Sequence, residues 1–142
     1  MTDTPTDEIS KDRTDTAGGG TILVVEDEIL IRLVIADYLR GCGYKVYEAS
    51  SGDEAMILLQ QGELKIDLVF TDTEMPGRID GFALARWLRA NRPEVEVILV
   101  GSPAKATDTA SDLCDDGPLP KPYHPQVVID RIRRLLASRS RR

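Results

Sequence analysis

Cysteine, histidine and aromatic residues are scarce in this chain. Its 142 residues include two cysteines, Cys42 and Cys114, and one histidine, His124. The cysteines lie far apart and lack the close spacing of metal-binding pairs, so both read as reduced thiols in packing roles. Aromatic residues make up 5%, and no ring occurs between Trp87 and Tyr123. Positive charge is not in excess: the formal net charge is -6, which argues against non-specific nucleic-acid binding. No apolar run approaches the ~20 residues of a membrane span. The polar, acidic start lacks the marks of a secretory signal or an Arg-rich transit peptide, so a soluble cytoplasmic protein is expected. Gly18-Gly19-Gly20 is the one glycine run. It precedes the first strand and no Gly-Lys-Ser/Thr follows, so it reads as a flexible joint rather than a phosphate loop.

What is present is an ordinary globular balance, 42% hydrophobic and 30% charged, at a length that suggests one domain. Residues 1–20 carry too little apolar surface to offset the entropy of ordering and are expected to be a disordered tail. The folded domain is expected over 21–138, with a basic tail over 139–142. Thr21–Val25 reads as a first strand, followed by three acids, Glu26-Asp27-Glu28. Asp27 can cap the next helix, which explains one of these acids and leaves two. That helix runs from Ile29 to Arg40, with Ile31, Val34, Ile35, Tyr38 and Cys42 at core spacing. Leu30 and Leu33 fall outside the stripe, where they serve either docking or contact with neighbouring elements.

Lys45–Ala49 is a second strand. Ser51-Gly-Asp-Glu54 is a capping box for a helix that Gly62 ends, with Ala55, Leu58 and Leu59 inward. Asp80 can cap a third helix that turns Phe82, Leu84, Ala85 and Leu88 to the core. Trp87, off that arc, either covers the core edge or faces a partner. Val95–Val100 is a fourth strand, and the segment from Ala104 to Asp116 supports only a short or irregular helix. Leu119–Lys121 is a brief fifth strand whose Pro120 suits an edge. Pro125 opens a last helix with Val128, Ile129, Ile132, Leu135 and Leu136 inward. Alternating strands and helices imply a parallel sheet covered on both faces.

The organising stretch is Ile66 to Gly77. The apolar run Leu68-Val69-Phe70 suits a buried parallel strand and ends at Asp72, before the turn signal Pro76-Gly77. Parallel strands bring Glu26, Asp27 and Asp72 to one rim, where ligands bind in open α/β sheets. Carboxylates so close repel one another unless a cation intervenes, and a half-open set of oxygen ligands suits Mg²⁺. Lys121 reaches the same rim. Acids, a metal and a lysine describe a phosphoryl pocket in which a carboxylate is the available nucleophile.

Glu26-Asp27, Asp72 within Asp-Thr-Glu-Met-Pro-Gly, and Lys121-Pro122-Tyr123 resemble the receiver domain of two-component response regulators, of the stand-alone kind. The resemblance covers Thr21 to about Ser138. It implies a flavodoxin-like (βα)5 doubly wound sandwich with strand order 2-1-3-4-5. It also implies that Asp72 accepts the phosphoryl group and that Asp27 ligates Mg²⁺ directly, with Glu26 acting largely through water. The Glu74 backbone carbonyl would complete the protein ligands, and Lys121, before a cis bond to Pro122, would contact the phosphoryl oxygens. The donor would be a histidine kinase or phosphotransfer protein docking on the first helix at Leu30 and Leu33. His124, beside Pro125, suits capping or plain exposure rather than phosphate donation. No direct nucleic-acid or membrane partner is implied. Oligomeric state stays open, and no output domain is read after Ser138.

Two positions depart from the family. Its members carry Thr or Ser after strand four, where this chain has Gly101, with Ser102 as a possible hydroxyl substitute. An aromatic residue usually stands three before the lysine, and here it is Pro118. The expectation is a receiver that takes a phosphoryl group but signals by an atypical route, with loop motion across Gly101 to Gly117 as one candidate. The chain is expected to catalyse only its own phosphorylation and dephosphorylation. Two other readings are a degenerate receiver that binds partners without phosphorylation, and an aspartate-nucleophile phosphatase built on Asp72-Thr73-Glu74.

Overall fold

The computed structural model describes residues 19–101 and 119–140. Ser102, Cys114, Pro118, most of the expected tail over 1–20, the irregular helix over 104–116, the mobile loop proposed to Gly117 and the last two arginines lie outside the described residues. Five strands form one sheet: β1 Thr21–Val25, β2 Lys45–Ala49, β3 Leu68–Asp72, β4 Glu96–Gly101 and β5 Leu119–Pro120. Their order is β2-β1-β3-β4-β5 and every pairing is parallel. Four described helices connect or follow them: α1 Ile29–Gly41, α2 Gly52–Gln61, α3 Gly81–Asn91 and α4 Pro125–Ser140.

The central strands β1 and β3 are apolar on both faces because helices cover both faces. Ile22, Val24, Leu68 and Phe70 pack against Ile35, Ala36 and Leu39 of α1 and Val128, Ile129 and Ile132 of α4. Leu23, Val25 and Val69 pack against Ala55 and Leu59 of α2 and Leu84 and Leu88 of α3. Trp87 and Leu58 lie half-buried at the margin of this second cluster, which gives Trp87 a core-edge role. Cys42 is a free thiol packed half-buried against the first cluster. β2 and β5 form the edges, so Pro120 stands where a missing ladder donor is tolerated.

The caps follow local chemistry. Ser51 Oγ accepts from the Glu54 amide at 3.0 Å, and Asp80 Oδ1 accepts from the Ala83 amide at 2.8 Å. The return bond of the first box is displaced by one residue: Glu54 Oε1 accepts from the Ser50 amide at 2.6 Å, not from Ser51.

Three expectations need correction. The buried stripe of α1 is Ile35, Ala36 and Leu39, while Val34 is 63% exposed. The sheet lies under the arc centred on Ala36, so Val34 joins Leu30 and Leu33 in solvent. Asp27 is not the cap of α1: Glu28 holds that position without a side-chain cap bond. Arg139 is not tail, because α4 runs to Ser140. Its guanidinium donates to Asp67 Oδ1 at 2.8 Å and to the Asp67 carbonyl at 3.0 Å. Asp67 Oδ2 accepts from the Thr21 amide at 2.8 Å, so this pair fixes the end of α4 to the starts of β1 and β3.

Candidate functional site

The C-terminal ends of β1, β3 and β5 converge at one notch. Glu26 follows β1, Asp72 closes β3, and Lys121 follows β5. The Lys121 ammonium donates to Asp72 Oδ2 at 2.7 Å and to Glu26 Oε1 at 3.2 Å. Carboxylate oxygens of Glu26, Asp27 and Asp72 lie within 4.8 Å of one another, with Asp27 the most open of the three. An all-oxygen donor set of this size suits a hard divalent cation. The expected convergence is therefore present for Glu26, Asp27, Asp72 and Lys121.

The remaining oxygens are also engaged. Asp72 Oδ1 accepts from the Glu74 amide at 3.1 Å, and Glu26 Oε2 accepts from the Glu28 amide at 3.1 Å. Glu74 thus bends back over Asp72 through its N–H. Met75 anchors this loop in the core while its neighbours Glu74 and Pro76 face solvent. The chain then passes so close under β3 that a Cβ at Gly81 would overlap the Asp72 carbonyl oxygen. Only glycine permits that approach. The Lys121–Pro122 bond is cis, as expected.

Burial pushes the Glu26 carboxyl up, against the Glu28 amide and the Lys121 charge, which favour the ionised form. Burial would by itself depress the Lys121 ammonium. The bond to Asp72 and the charges of Asp72 and Glu26 outweigh it and hold the group above its ordinary value. Tyr123 is pushed up to about 12, chiefly by burial and then by the nearby Glu26 charge. Its ring stands edge-on to Phe70 with centroids 5.6 Å apart.

Two residues at the site were not singled out from sequence. Arg32 donates from Nη1 to the Glu26 carbonyl at 2.8 Å and from Nε to Glu48 Oε1 at 3.2 Å, pinning the acid loop to β2. Its position one turn after three acids is a charge-complement signal that could have found it. Thr73, 2% exposed, fills the space beside Gly101 at the end of β4. A hydroxyl directly after a strand-end aspartate was its only sequence signal.

A groove of about 560 Å³ opens beside the notch between α1 and the segment after β5. Leu30, Ile31, Val34, Lys121, Pro122 and Tyr123 are among its walls, and Leu33 is not.

Residues 22–133 match the model of the response regulator receiver domain. The chain belongs to that family. Over 125 residues it is 34% identical to the sensor kinase CckA of Brucella abortus, covering 87% of this chain and 13% of that protein. The transcriptional regulatory protein ResD of Bacillus subtilis is 33% identical over 116 residues, 81% of this chain and 47% of ResD. The receiver thus spans about half, or less, of the length of these curated relatives. Among solved structures, a receiver domain protein from Clostridium thermocellum superposes with a TM-score of 0.65 at 31% identity, covering 75% of this chain and 86% of that one. The flavodoxin-like arrangement read from the resemblance is the observed fold. Among the described residues no helix is long and apolar enough to cross a membrane.

Proposed function

We propose that this receiver takes a phosphoryl group onto Asp72 from a partner histidine kinase or histidine phosphotransfer protein. The observation that carries this reading is the contact of one ammonium, Lys121, with both Asp72 and Glu26 beside the open carboxylate of Asp27. An Asp72 carboxylate oxygen attacks phosphorus. The phosphorus–nitrogen bond of a phosphohistidine breaks, and its electron pair leaves with the imidazole. With a small acyl phosphate the phosphorus–oxygen bond breaks and a carboxylate leaves. Lys121 holds Asp72 in place beforehand and offers its charge to the phosphoryl oxygens afterwards.

The donor set fits Mg²⁺, whose charge lets carboxylates and phosphoryl oxygens share the notch. Asp27 and Asp72 would ligate it directly, Glu26 largely through water, and Glu74 through its carbonyl. The apolar groove beside the notch gives a donor protein a place to bring its histidine, with α1 as one wall. Gly101 in place of a hydroxyl residue supports an atypical activation route. The chain acts as a cytoplasmic signalling receiver and turns over no external substrate beyond its own phosphorylation and dephosphorylation. The folded unit is residues 21–138 extended through the end of α4.

Intact mass after incubation with a small acyl-phosphate donor and Mg²⁺ tests the reading. The wild type should gain one phosphoryl group and Asp72→Asn none. A wild type that gains nothing would make this a degenerate receiver that only binds. Multiple turnover of a phosphate ester would make it a phosphatase.

A further inference from the structure

A phosphoryl group on Asp72 carries three terminal oxygens. Lys121 would meet one, and a cation held by the carboxylate notch another. The wall beside Asp72 from which a donor could meet the third is the end of β4, where Asp72 pairs with Val100 and Gly101 lies one residue further. Gly101 contributes no side chain to that wall.

The wall is nevertheless polar. A Cβ built on Gly101 would overlap Thr73 Oγ1, while standing 3.2 Å from Thr73 Cβ and 3.3 Å from its methyl carbon. The Thr73 hydroxyl, not the methyl, therefore points into the space that a side chain on β4 would occupy. Its backbone is fixed there: the Thr73 amide donates to the Val100 carbonyl at 2.8 Å, and its carbonyl accepts from the Gly81 amide at 3.1 Å. Among the described residues Thr71 also carries a hydroxyl at this strand end, and it is committed elsewhere, donating to the Asp72 carbonyl at 3.0 Å. In its present rotamer the Thr73 hydroxyl takes up the space that a side chain at position 101 would enter.

We infer that Thr73 supplies the hydroxyl that contacts the phosphoryl group, delivered from the residue after the acceptor on β3 rather than from the end of β4. The inference rests on Asp72 being the acceptor. A donor placed beside Asp72 on the same loop stays in position without any movement of β4, so phosphoryl contact is separated from the strand-four end. The hydroxyl keeps its proton and donates a hydrogen bond to a phosphoryl oxygen, and no bond of Thr73 is made or broken.

The test is the rate of phosphorylation by a small acyl-phosphate donor with Mg²⁺, followed by intact mass, together with thermal melting of each variant. Thr73→Val removes the hydroxyl at constant shape and should slow the reaction about tenfold, the worth of one hydrogen bond to a charged group. Thr73→Ser should stay within about twofold, because the donor is kept. Thr73→Ala combined with Gly101→Ser returns a hydroxyl to the same space from β4 and should recover most of the rate lost in Thr73→Ala alone. Equal rates for wild type, Thr73→Val and Thr73→Ala would overturn the inference and leave the acceptor role of Asp72 standing. If Thr73→Val melts early, the Ser and Ala variants decide: a slow Ala with a fast Ser supports the hydroxyl, and equal rates refute it. A wild type that gains no phosphoryl group overturns both this inference and the acceptor assignment.

Discussion

Lys121 Nζ lies between two carboxylates, 2.7 Å from Asp72 Oδ2 and 3.2 Å from Glu26 Oε1, although these residues end three different segments of the chain. The ammonium holds the notch together by charge before any ligand arrives. Glu26 shows the cost, since burial raises its carboxyl even with that ammonium in contact. Replacing Lys121 by Met should leave two buried carboxylates facing each other and cost about 2 kcal/mol in the absence of divalent cation. That figure sits below the usual loss for a broken buried pair because Lys121 is 28% exposed. Urea unfolding with and without Mg²⁺ measures it, and Mg²⁺ should recover part of the loss. The pH dependence has a definite sign. A lysine whose folded value is raised contributes stability that is complete below its ordinary value of 10.5 and is lost as pH rises through the folded value. On the alkaline side the gap between wild type and Lys121→Met should therefore close only above that pH; a gap already closed near neutral pH would refute the pairing.

Arg32 acts on the same notch through Glu26. Its guanidinium reaches the Glu26 carbonyl and Glu48 while only 15% of the side chain is exposed. Arg32→Met keeps most of the packing stem and removes both bonds. Stability should fall by about 1 kcal/mol, and Mg²⁺ should bind several-fold more weakly because the acid loop is no longer tied to β2. Mg²⁺ titration by calorimetry separates the two effects. Unchanged Mg²⁺ affinity alongside lost stability would make Arg32 a fold residue only.

The βα alternation was legible because its signals are local. Apolar runs ended at acids or glycines, and Ser51 and Asp80 stood at helix starts. The notch was legible for a further reason: parallel strands place their C-terminal ends on one rim, so spacing along the chain became proximity in space. What local pattern could not supply was rotation and reach. The stripe of α1 includes Ile35, Tyr38 and Cys42 as expected but not Val34, and it takes in Ala36 and Leu39, because Ile29 through Ile35 is nearly all aliphatic and its period is ambiguous. Arg139 looked like part of a basic end, yet it closes an ion pair with Asp67 far away in the chain. Thr73 was passed over because its meaning depends on an absence, the missing side chain of Gly101 on a neighbouring strand.

The apolar face of α1 gives the next expectation. Leu30 is 77% exposed and Val34 63% exposed, and both line the groove beside Lys121 and Tyr123. Leu33, 43% exposed, is not among the groove-lining residues. Leu30→Ser with Val34→Ser should slow phosphotransfer from a partner kinase at least tenfold, on the scale of two lost apolar contacts. The reaction with a small acyl phosphate should keep its rate, since a small donor needs no docking face. Leu33→Ser should have the smaller effect on the kinase reaction. Parallel slowing with both donors would place the damage in the fold rather than in docking.

The Glu54 cap offers a test of the electrostatics away from the notch. Glu54 Oε1 accepts from the Ser50 amide at 2.6 Å and the Ser50 hydroxyl at 2.9 Å. The amide bond, then the hydroxyl bond, holds its carboxyl below the ordinary value of 4.5. A carboxyl depressed in this way contributes stability that is present above 4.5 and is lost as pH falls through the folded value. Glu54→Gln retains an acceptor and removes the charge. Because the side chain faces solvent, the wild type should exceed the variant by only about 0.5 kcal/mol near neutral pH. Paired urea curves taken from neutral down to about pH 3 should show the difference shrinking toward zero as the Glu54 carboxyl becomes neutral like the glutamine amide. A difference that instead widened on acidification would mean that the carboxylate is not what holds the start of α2.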